Sequence, residues 1–482
     1  MRPWTLCVAV ILAFAALCPA ATISVKDHGA KGDGVTDDRK AVQAAIAAAP
    51  EGSTIYFPTG TYFMATGVRP EKRSHLIFTG DPGATIKAAG GKGGFLFAFH
   101  NCSDITITGL RFDLNGITHF GPGVSFHTGK RIRIHRNHFF DGNFQPKMTA
   151  DRYAICFALG SEMSEDIWIS ENLIEHLQVE IDKARRVHVI NNRSLAPELA
   201  TGFGSFTLQK DVVVEDIEFV GNYVEDPQAY GINVAADGER EGAVLRRILI
   251  ANNIVMCKKR APMLAGIMVG SRDGKAVKGA RWENVTIANN LVCYAAGVRK
   301  RHEESGIRVQ VINEGEQISR VMITGNTVVD EAGIANWGIE TRGLTDAVIT
   351  GNAVYGTRGG LLGQRWTRTL AQGNRVSGVS GEGFCLKDSG GENVFTGNFV
   401  MGKAATPWAV SGLLPSDKVD TPPVAAAAAG AAPAAPAGAK TPPAAPAPAA
   451  AAPAKKSDVT GEMIRIANPD EPKAAPPAKK DK

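Results

Sequence analysis

The sequence is poor in the residues from which several common kinds of site are built. Only 7 of its 482 residues are cysteine, and 7% are aromatic. Five cysteines follow residue 20, scattered without zinc-type spacing, and an odd number cannot form a fully paired disulfide framework. We predict that most are small core residues, with Cys257 and Cys293 as the one pair to test. Motifs for nucleotide, haem and zinc binding are absent, which leaves calcium as the one cofactor to consider.

Long apolar runs are also missing. The apolar stretch from Leu6 to Leu17 has about 12 residues, fewer than the roughly 20 that a membrane-spanning helix needs. It follows the positive charge of Arg2 and precedes small residues that end at Ala20. We therefore predict a signal peptide over residues 1–20 and an exported protein, periplasmic or extracellular, without a membrane span.

An excess of one charge is lacking once the tail is set aside. The formal net charge is +5, but residues 421–482 carry eight Lys or Arg against five Asp or Glu. The remaining body is close to neutral, so no general attraction to nucleic acid or to a membrane surface is expected. Alanine and proline dominate the first part of the tail, which predicts a disordered linker over 413–456 and a charged segment over 457–482. Docking of this segment to an unknown partner stays open.

What the sequence does contain is an internal repeat. Two apolar residues lie two positions apart, and an asparagine follows three positions after the second, as in VTIANN ending at Asn290. A constant motif with variable spacing indicates a repeated coil whose loops differ in length. The asparagines at this position are Asn137, Asn172, Asn192, Asn222, Asn253, Asn290, Asn326, Asn352, Asn374 and Asn398.

Each repeat predicts three strands. The apolar pair before the asparagine alternates like a strand, a short apolar pair follows it, and a third strand has the form small-apolar-x-apolar, as in Gly306–Val309. Three strands per turn make a triangular coil whose rungs pair in parallel about 4.8 Å apart. Asparagine suits the tight turn because it tolerates left-handed backbone and its amides can bond along the column. We therefore predict an all-β parallel β-helix of about eleven rungs over residues 21–412.

A short helix is predicted to cover the N-terminal end of this coil. Thr36 or Asp37 would be its N-cap, Val42 and Ile46 lie on its apolar face, and Pro50 follows its end. Such a helix protects the strand edges that an open end of the coil would expose.

Residues 23–64 read ISVKDHGAKGDGVTDDRKAVQAAIAAAPEGSTIYFPTGTYFM. This stretch resembles the N-terminal signature of the pectate-lyase-like superfamily, which includes rhamnogalacturonases, polyuronate epimerases and phage tailspike domains. Together with the repeats, the resemblance covers roughly residues 22–410. It implies a right-handed parallel β-helix of the carbohydrate-active kind. It names no single reaction, because the superfamily holds lyases, hydrolases, epimerases and binding proteins.

The motifs that separate these activities are incomplete. The polygalacturonase set with its Gly-His-Gly is missing, and the Asp-Pro-His of epimerases is echoed only by Asp226-Pro227-Gln228. The Arg-x-Pro-x-x-Arg of pectate lyases begins at Arg260, but Ala265 replaces its second arginine. The motifs therefore leave the reaction open.

The resemblance implies that substrate lies along the outer face of the small-apolar-x-apolar strands. One polar cluster predicted there holds Glu180 and Asp182, about 7 Å apart on one strand, with His127 two rungs away. Such carboxylates suit acid–base cleavage of a glycosidic bond or the binding of calcium. A solvated strand face, with Lys183 and Lys210 as counter-ions, is the alternative explanation.

A second cluster combines arginines with a glutamate, and the loops Lys258–Arg260 and Arg299–His302 that lead into it are basic. Cations gathered at one groove of a neutral body suit an anionic polysaccharide, because an arginine fork matches a uronate carboxylate. Loop charges that only add solubility are the other explanation. The predicted catalytic residues are Arg260, Arg308, Glu340, Glu180 and Asp182, and the predicted substrate-binding residues are His127, Gln209, Tyr230, Asn233, His302, Gln310 and Arg342.

We expect an exported protein that acts on an acidic, uronate-containing polysaccharide, by β-elimination in preference to hydrolysis. In β-elimination a base removes the proton next to the carboxylate while cations stabilise the resulting charge. Arg260, Arg308, Tyr230 and His302 are the candidates for these roles. The alternatives are hydrolysis by the paired carboxylates, uronate epimerisation, and binding of a glycan without turnover.

Overall fold

The computed structural model describes residues 20–91, 94–118, 121–144, 152–157, 162–197, 201–207, 212–236, 242–262, 264–271, 278–301 and 304–420. These residues lie within one compact unit, residues 1–428. The strands among them pair in parallel and wind as a right-handed parallel β-helix with three strands per turn, which confirms the predicted architecture. The predicted signal peptide, apart from its last residue, and everything beyond residue 420 lie outside the described residues.

Three ladders of strands run along the coil. The first ladder ends at the asparagine turn and contains Thr22–Ser24, Thr54–Phe57, Ser74–Gly80, Ser164–Ser170, Ala184–Ile190, Val213–Val220, Val244–Ala251, Arg281–Ala288, Gln317–Thr324, Leu344–Thr345, Val348–Thr350, Leu370–Gln372, Val394–Thr396 and Lys418–Val419. The second ladder follows that turn and contains Asp33–Asp37, Thr61–Met64, Thr85–Ala88, Arg111–Asp113, His138–Phe140, Leu173–Glu175, Arg193–Leu195, Tyr223–Glu225, Ile254–Cys257, Leu291–Tyr294, Thr327–Asp330, Ala353–Tyr355, Arg375–Ser377 and Phe399–Met401.

The third ladder contains the small-apolar-x-apolar strands. Its members are Tyr153–Phe157, Gln178–Ile181, Thr201–Thr207, Tyr230–Ala236, Ala265–Ser271, Ser305–Gln310, Trp337–Arg342, Gly359–Gln364, Glu382–Lys387 and Thr406–Val410. Two long strands, Phe97–Thr108 and Val124–His135, bend in the middle. The first part of each strand belongs to the third ladder and the last part to the first ladder. Branched and aromatic side chains from all three ladders fill the interior, so the core runs the length of the coil.

The coil is longer than its repeats suggested. The second ladder has 14 strands among the described residues, against the roughly eleven predicted rungs, because turns begin before the first asparagine of the series. At the other end, Lys418–Val419 pairs with Val394–Phe395. The β-helix therefore extends beyond its predicted boundary at residue 412, into the segment that the sequence predicted as a linker.

A short 3₁₀-helix, Val25–His28, and an α-helix, Arg39–Ala48, lie near the N-terminus. The α-helix buries Val42 and Ile46, as its apolar pattern predicts. Its N-cap is Asp38, so the predicted cap at Thr36 or Asp37 is wrong. Asp37 is instead the last residue of a strand, where its carboxylate accepts a hydrogen bond from Ala65 N at 3.1 Å.

The ten asparagines of the repeat form one continuous column. At Asn253 the side-chain Nδ2 donates to Asn290 Oδ1 at 3.0 Å and to Phe219 O at 2.8 Å, while Oδ1 accepts from the backbone N and the Nδ2 of Asn222. The predicted amide ladder is thus confirmed. The predicted left-handed backbone belongs to the preceding residue, as at Asn252 with φ 57°, and not to the column asparagine.

A second column runs along the bend within the first-ladder strands, and its charges alternate in sign except at the neutral Asn284. Every member has left-handed backbone with φ between 48° and 59°. Ion pairs join neighbours along it, such as Arg186 to Asp166 at 2.5 Å and Arg247 to Asp216 at 2.6 Å. A slip of one rung would bring like charges together, so this corner column also specifies register. Its members are Asp104, Arg131, Asp166, Arg186, Asp216, Arg247, Asn284, Arg320, Asp346, Arg368 and Glu392.

The corner column predicts a loss of stability in acid. Hydrogen bonds from Arg186 and Arg247 lower the pKa values of Asp166 and Asp216, and the guanidinium of Arg368 lowers that of Asp346. A carboxyl whose folded pKa is lowered stabilises the fold above its unfolded pKa of about 3.9 and loses that contribution as the pH falls. We expect the thermal midpoint to decrease as the pH drops below about 4 and passes through the lowered folded-state pKa values. Replacing the three aspartates by asparagine should flatten this dependence; an unchanged pH profile would contradict the assignment.

The five described cysteines are all free, so Cys257 and Cys293 do not pair. Cys257 lies opposite Tyr294 and Cys293 opposite Met256. Because successive side chains of a strand point to opposite faces, one thiol enters the core and the other faces outward. Among the described residues, no helix is long and apolar enough to cross a membrane.

Candidate functional site

The outer face of the third ladder carries a row of side chains in register, which we call the central row. Arg308 lies opposite Met268 on one side and Glu340 on the other. The sequence Ser205-Phe206-Thr207-Leu208 fits the small-apolar-x-apolar pattern and predicts Thr207 on this row, with Gln209 two positions further. Thr207 instead lies opposite Ala236, and Gln209 lies outside the described residues. Gly204 takes that rung instead. The row consists of Ser125, Cys156, Glu180, Gly204, Asn233, Met268, Arg308, Glu340, Leu362 and Cys385.

Arg308, Glu340, Arg342 and Ser305 form a compact polar group, which we call the arginine cluster. Arg308 Nε donates to Glu340 Oε2 at 2.9 Å, and Arg342 Nη2 lies 2.6 Å from Glu340 Oε1. Ser305 Oγ donates to Glu340 Oε2 at 2.6 Å and accepts from Arg308 Nη2 at 3.3 Å. The structure therefore brings together three of the predicted site residues, and it adds Ser305, which sequence reasoning missed.

The arginine cluster is largely shielded from water. The side chains of Arg308 and Glu340 are 4% and 2% exposed, whereas that of Arg342 is 35% exposed. Among the contacts of the described residues, two guanidinium groups face Glu340, and Arg342 is the accessible one. Glu340 accepts from three donors, an arrangement that suits a carboxylate holding two arginines in place.

The strand that carries Ser305 is anchored from inside the coil. Tyr294 is fully buried, and its hydroxyl donates to Ser305 O at 2.8 Å. Burial raises the pKa of Tyr294 well above its ordinary value, so the hydroxyl stays protonated and remains a donor. Ser305, at the start of its strand, is thereby fixed next to Glu340.

The basic loops lie at the entry to the third-ladder strands. Arg260 Nε donates to Asp226 O at 2.7 Å, and its other nitrogens reach Gln228 Oε1 at 3.3 Å and Pro197 O at 3.2 Å. Arg301 Nη1 also donates to Gln228 O, at 3.5 Å. Arg260 thus clamps neighbouring loops together, and its predicted catalytic role stays a prediction. His302 lies outside the described residues.

Two other predicted binding residues lie on the same face but are buried among protein groups. Gln310 is 1% exposed, and its Nε2 donates to Ser271 O at 3.1 Å. Tyr230, also 1% exposed, packs on the outer side of the sheet with Ala265 and Met268. An apolar patch thus adjoins the arginine cluster along the ladder.

The Glu180 and Asp182 pair is separate from the arginine cluster. Glu180 lies four rungs from Arg308 along the central row, about 19 Å at 4.8 Å per rung. The two clusters are therefore too far apart to act on one bond. Both carboxylates are buried, at 8% and 2% exposed, and His127 stacks on His100 with ring centroids 4.1 Å apart.

The metal role predicted for these two carboxylates does not come from a larger side-chain cluster: in the described part of the chain, no three His, Cys, Asp or Glu side chains converge to hold an ion. Calcium also takes backbone and water oxygens as ligands. Hydrolysis by Glu180 and Asp182 and a calcium role for the pair stay predictions.

Asn233 stands out on the central row because its amide is buried. The residue is 0% exposed, and neither Oδ1 nor Nδ2 has a hydrogen-bond partner among the residues that the structure describes. A buried polar atom without a partner costs about 1–3 kcal/mol. An amide kept at this cost on the predicted binding face suits a role in recognition.

Replacing Asn233 by leucine, which has a similar volume, should therefore raise the free energy of unfolding by about 1–3 kcal/mol. If the amide serves recognition, the same variant should bind glycan more weakly than the parent protein. Urea unfolding and a binding titration on the same preparation measure the two effects. A less stable variant would mean that the amide contributes to the fold.

Comparison with known proteins agrees with this architecture. Residues 22–253 match the family model described as rhamnogalacturonase A/epimerase, pectate lyase-like. The hyperthermoactive exopolygalacturonase of Thermotoga maritima superimposes with a TM-score of 0.53 at 13% identity, covering 73% of this chain and 91% of that one. At that identity the likeness concerns the fold alone.

Curated relatives match short stretches only. Plasmin and fibronectin-binding protein A of Streptococcus pneumoniae is 49% identical over 57 residues, which are 11% of this chain and 8% of that protein. Mannuronan C5-epimerase AlgE4 of Azotobacter vinelandii is 38% identical over 89 residues, 18% of this chain and 15% of that enzyme. The chain thus spans less than a sixth of the length of these relatives. Residues 22–253 match the pectate-lyase-like family directly, and the whole described coil has the parallel β-helix fold of that superfamily.

Proposed function

We propose that this protein is a carbohydrate-active protein that binds an acidic, uronate-containing polysaccharide along the third ladder and cleaves it by β-elimination. The observation that carries the proposal is the arginine cluster, in which one buried glutamate holds two guanidinium groups at the centre of the outer face. A guanidinium fork held in place binds a carboxylate with two parallel hydrogen bonds. The relative named as a mannuronan epimerase supports the same class of substrate.

In this mechanism the arginine cluster binds the uronate carboxylate. The base takes the proton from the carbon next to that carboxylate, a carbon–carbon double bond forms, and the glycosidic oxygen leaves with its electron pair. Negative charge develops on the carboxylate side, where Arg342 and Arg308 stabilise it. Glu340 keeps both arginines in position.

The reaction also needs a base that takes the proton. Glu340 is engaged by three donors, and Tyr230 lies two rungs from Ser305, about 10 Å away. We therefore assign the base to His302, which precedes Ser305 by three residues in the sequence. His302→Ala should abolish turnover and leave the affinity for glycan within about twofold, since a base contributes to the chemical step.

The reaction is tested by incubating the protein with polygalacturonate, alginate and glycosaminoglycans and following the ultraviolet absorbance of unsaturated uronate ends. Arg342→Ala should lower the rate by about 100-fold or more, because it removes a charge that stabilises the transition state. Arg308→Lys should also lower the rate, because lysine keeps the charge but lacks the guanidinium fork. Arg368→Ala, on the exposed corner column, is the matched control and should keep full activity. No unsaturated product from any of these polyanions, with or without calcium, would rule out the lyase.

Binding without turnover is the second candidate, and the state of Glu340 favours it. A site whose described carboxylate is already occupied by three donors is built for recognition of an anion. Under this reading, polyuronates bind with an affinity that depends on Arg342, but neither unsaturated ends nor new reducing ends accumulate. One relative is likewise named for what it binds, plasmin and fibronectin, and not for a reaction.

A further inference from the structure

Trp337 begins a third-ladder strand next to the arginine cluster, and sequence reasoning did not single it out. Its backbone lies in register with Ser305 on one side and Gly359 on the other. Glu340 and Arg342 follow three and five residues later on the same strand. The indole therefore shares one corner of the outer face with the groups proposed to bind a uronate.

The ring of Trp337 lies over the next rung. A Cβ atom built on Gly359 would come within 2.4 to 2.8 Å of three atoms of the six-membered part of the indole. Gly359 does not have positive φ, so its backbone does not require glycine. Glycine suits this position because a larger side chain would collide with the indole ring.

Trp337 differs from a tryptophan that only packs. Trp366 likewise covers a glycine, Gly363, but it is 1% exposed and its Nε1 donates to Thr341 Oγ1 at 3.0 Å. Trp337 is only partly buried. Arg342, five residues further along the same strand, has a side chain that is 35% exposed, and Arg358, just before Gly359, is exposed as well. A partly exposed indole on the same strand as an accessible guanidinium group offers a glycan chain two kinds of contact.

We propose that Trp337 is a stacking platform for one pyranose ring of the acidic polysaccharide, while Arg342 binds a uronate carboxylate of another unit of the same chain. The inference rests on the proposed function and adds a specificity-determining residue to it. The apolar C–H face of one sugar covers the indole, and the carboxylate of the other reaches the guanidinium. The platform selects uronates whose ring presents several C–H bonds on one face, and it makes the affinity depend on ring shape as well as on charge.

The test is a calorimetric titration of the full chain with oligogalacturonate and with oligoalginate. Trp337→Ala should weaken binding by roughly tenfold, whereas Trp337→Phe should keep most of the affinity. Gly359→Ala is the sharper variant, because it retains the tryptophan but displaces its ring, and it should also weaken binding. Trp168→Phe, on the first ladder between Arg133 and His188, is the matched control and should bind like the parent.

Thermal unfolding of each variant shows whether it is folded. If the two alanine variants do not fold, the comparison of Trp337→Phe with the parent protein still tests the platform. Unchanged affinity in folded Trp337→Ala and Gly359→Ala would overturn the platform. If Arg342→Ala loses affinity while the Trp337 variants do not, this inference fails and the proposed function stands. If the parent protein binds no acidic oligosaccharide, the proposed function itself fails.

Discussion

Replacing Glu340 by glutamine is expected to lower the free energy of unfolding by about 3–5 kcal/mol. The carboxylate is 2% exposed and is the partner of Arg308, which is 4% exposed. Neutralising it leaves a buried guanidinium without its counter-charge, and removing one member of a buried pair costs more than the pair contributes. Urea unfolding followed by circular dichroism measures the effect.

The matched control for this variant is Asp346→Asn. Asp346 also pairs with an arginine, Arg368 at 2.6 Å, but both side chains are more than 40% exposed. Exposed pairs contribute about 0–1 kcal/mol, so this variant should remain close to the parent in stability at neutral pH. Equal losses in Glu340→Gln and Asp346→Asn would contradict the description of the arginine cluster as a shielded network.

Replacing Asn253 by alanine is expected to cost about 3 kcal/mol or more. The side chain makes four hydrogen bonds, two accepted by Oδ1 and two donated by Nδ2, and it is 0% exposed. Its loss leaves the backbone N of Asn222 and the carbonyl of Phe219 without these partners. The damage lies in the middle of the column, where both neighbouring turns depend on it.

The control for Asn253→Ala is Asn252→Gly, at the preceding residue. Asn252 has the left-handed backbone that glycine accepts without strain, and its side chain is exposed. We expect a change in unfolding free energy of at most about 1 kcal/mol. A large loss at Asn252 with a small one at Asn253 would mean that the turn, and not the amide ladder, stabilises the column.

The fold was predictable because its determinants are local and repeated. The asparagine, the apolar pair and the small-apolar-x-apolar strand recur in each coil, so a single spacing rule identified the inward and outward faces of most rungs. The rule failed at Thr207, where no charged or branched pattern marks the register and Gly204 takes the outward place. It also missed the early turns, which precede the first column asparagine.

The corner column was also visible in the sequence, although our reading did not use it. The residue directly before the apolar pair alternates in sign in most repeats, as in Asp216 before Ile217 and Arg247 before Ile248, with the neutral Asn284 as an exception. Strands with opposite charges at one repeat position must be neighbours in space, because the solenoid places equivalent positions in a column. This alternation would have supported the register independently of the asparagines.

The candidate site was predictable only in part. Arg308, Glu340 and Arg342 were found because their outward positions follow from the strand pattern, and the ladder brings them into contact. Ser305 and Trp337 were missed, since they precede the small-apolar-x-apolar motif and the strand bend that turns them outward has no sequence signal. Arg260 was predicted as a site residue from an incomplete motif. Its contacts with loop carbonyl groups depend on loop geometry that the spacing of the repeats does not determine.

The central claim is that the outer face of the third ladder recognises uronate carboxylates. The most direct measurement is a calorimetric titration of the protein with an oligogalacturonate and with the same oligosaccharide after full methyl esterification. We predict that the acid binds, that esterification weakens binding by roughly tenfold or more, and that Arg342→Ala loses this difference. Equal affinity for the acid and the ester, or a preference for the acid that survives Arg342→Ala, would contradict the claim.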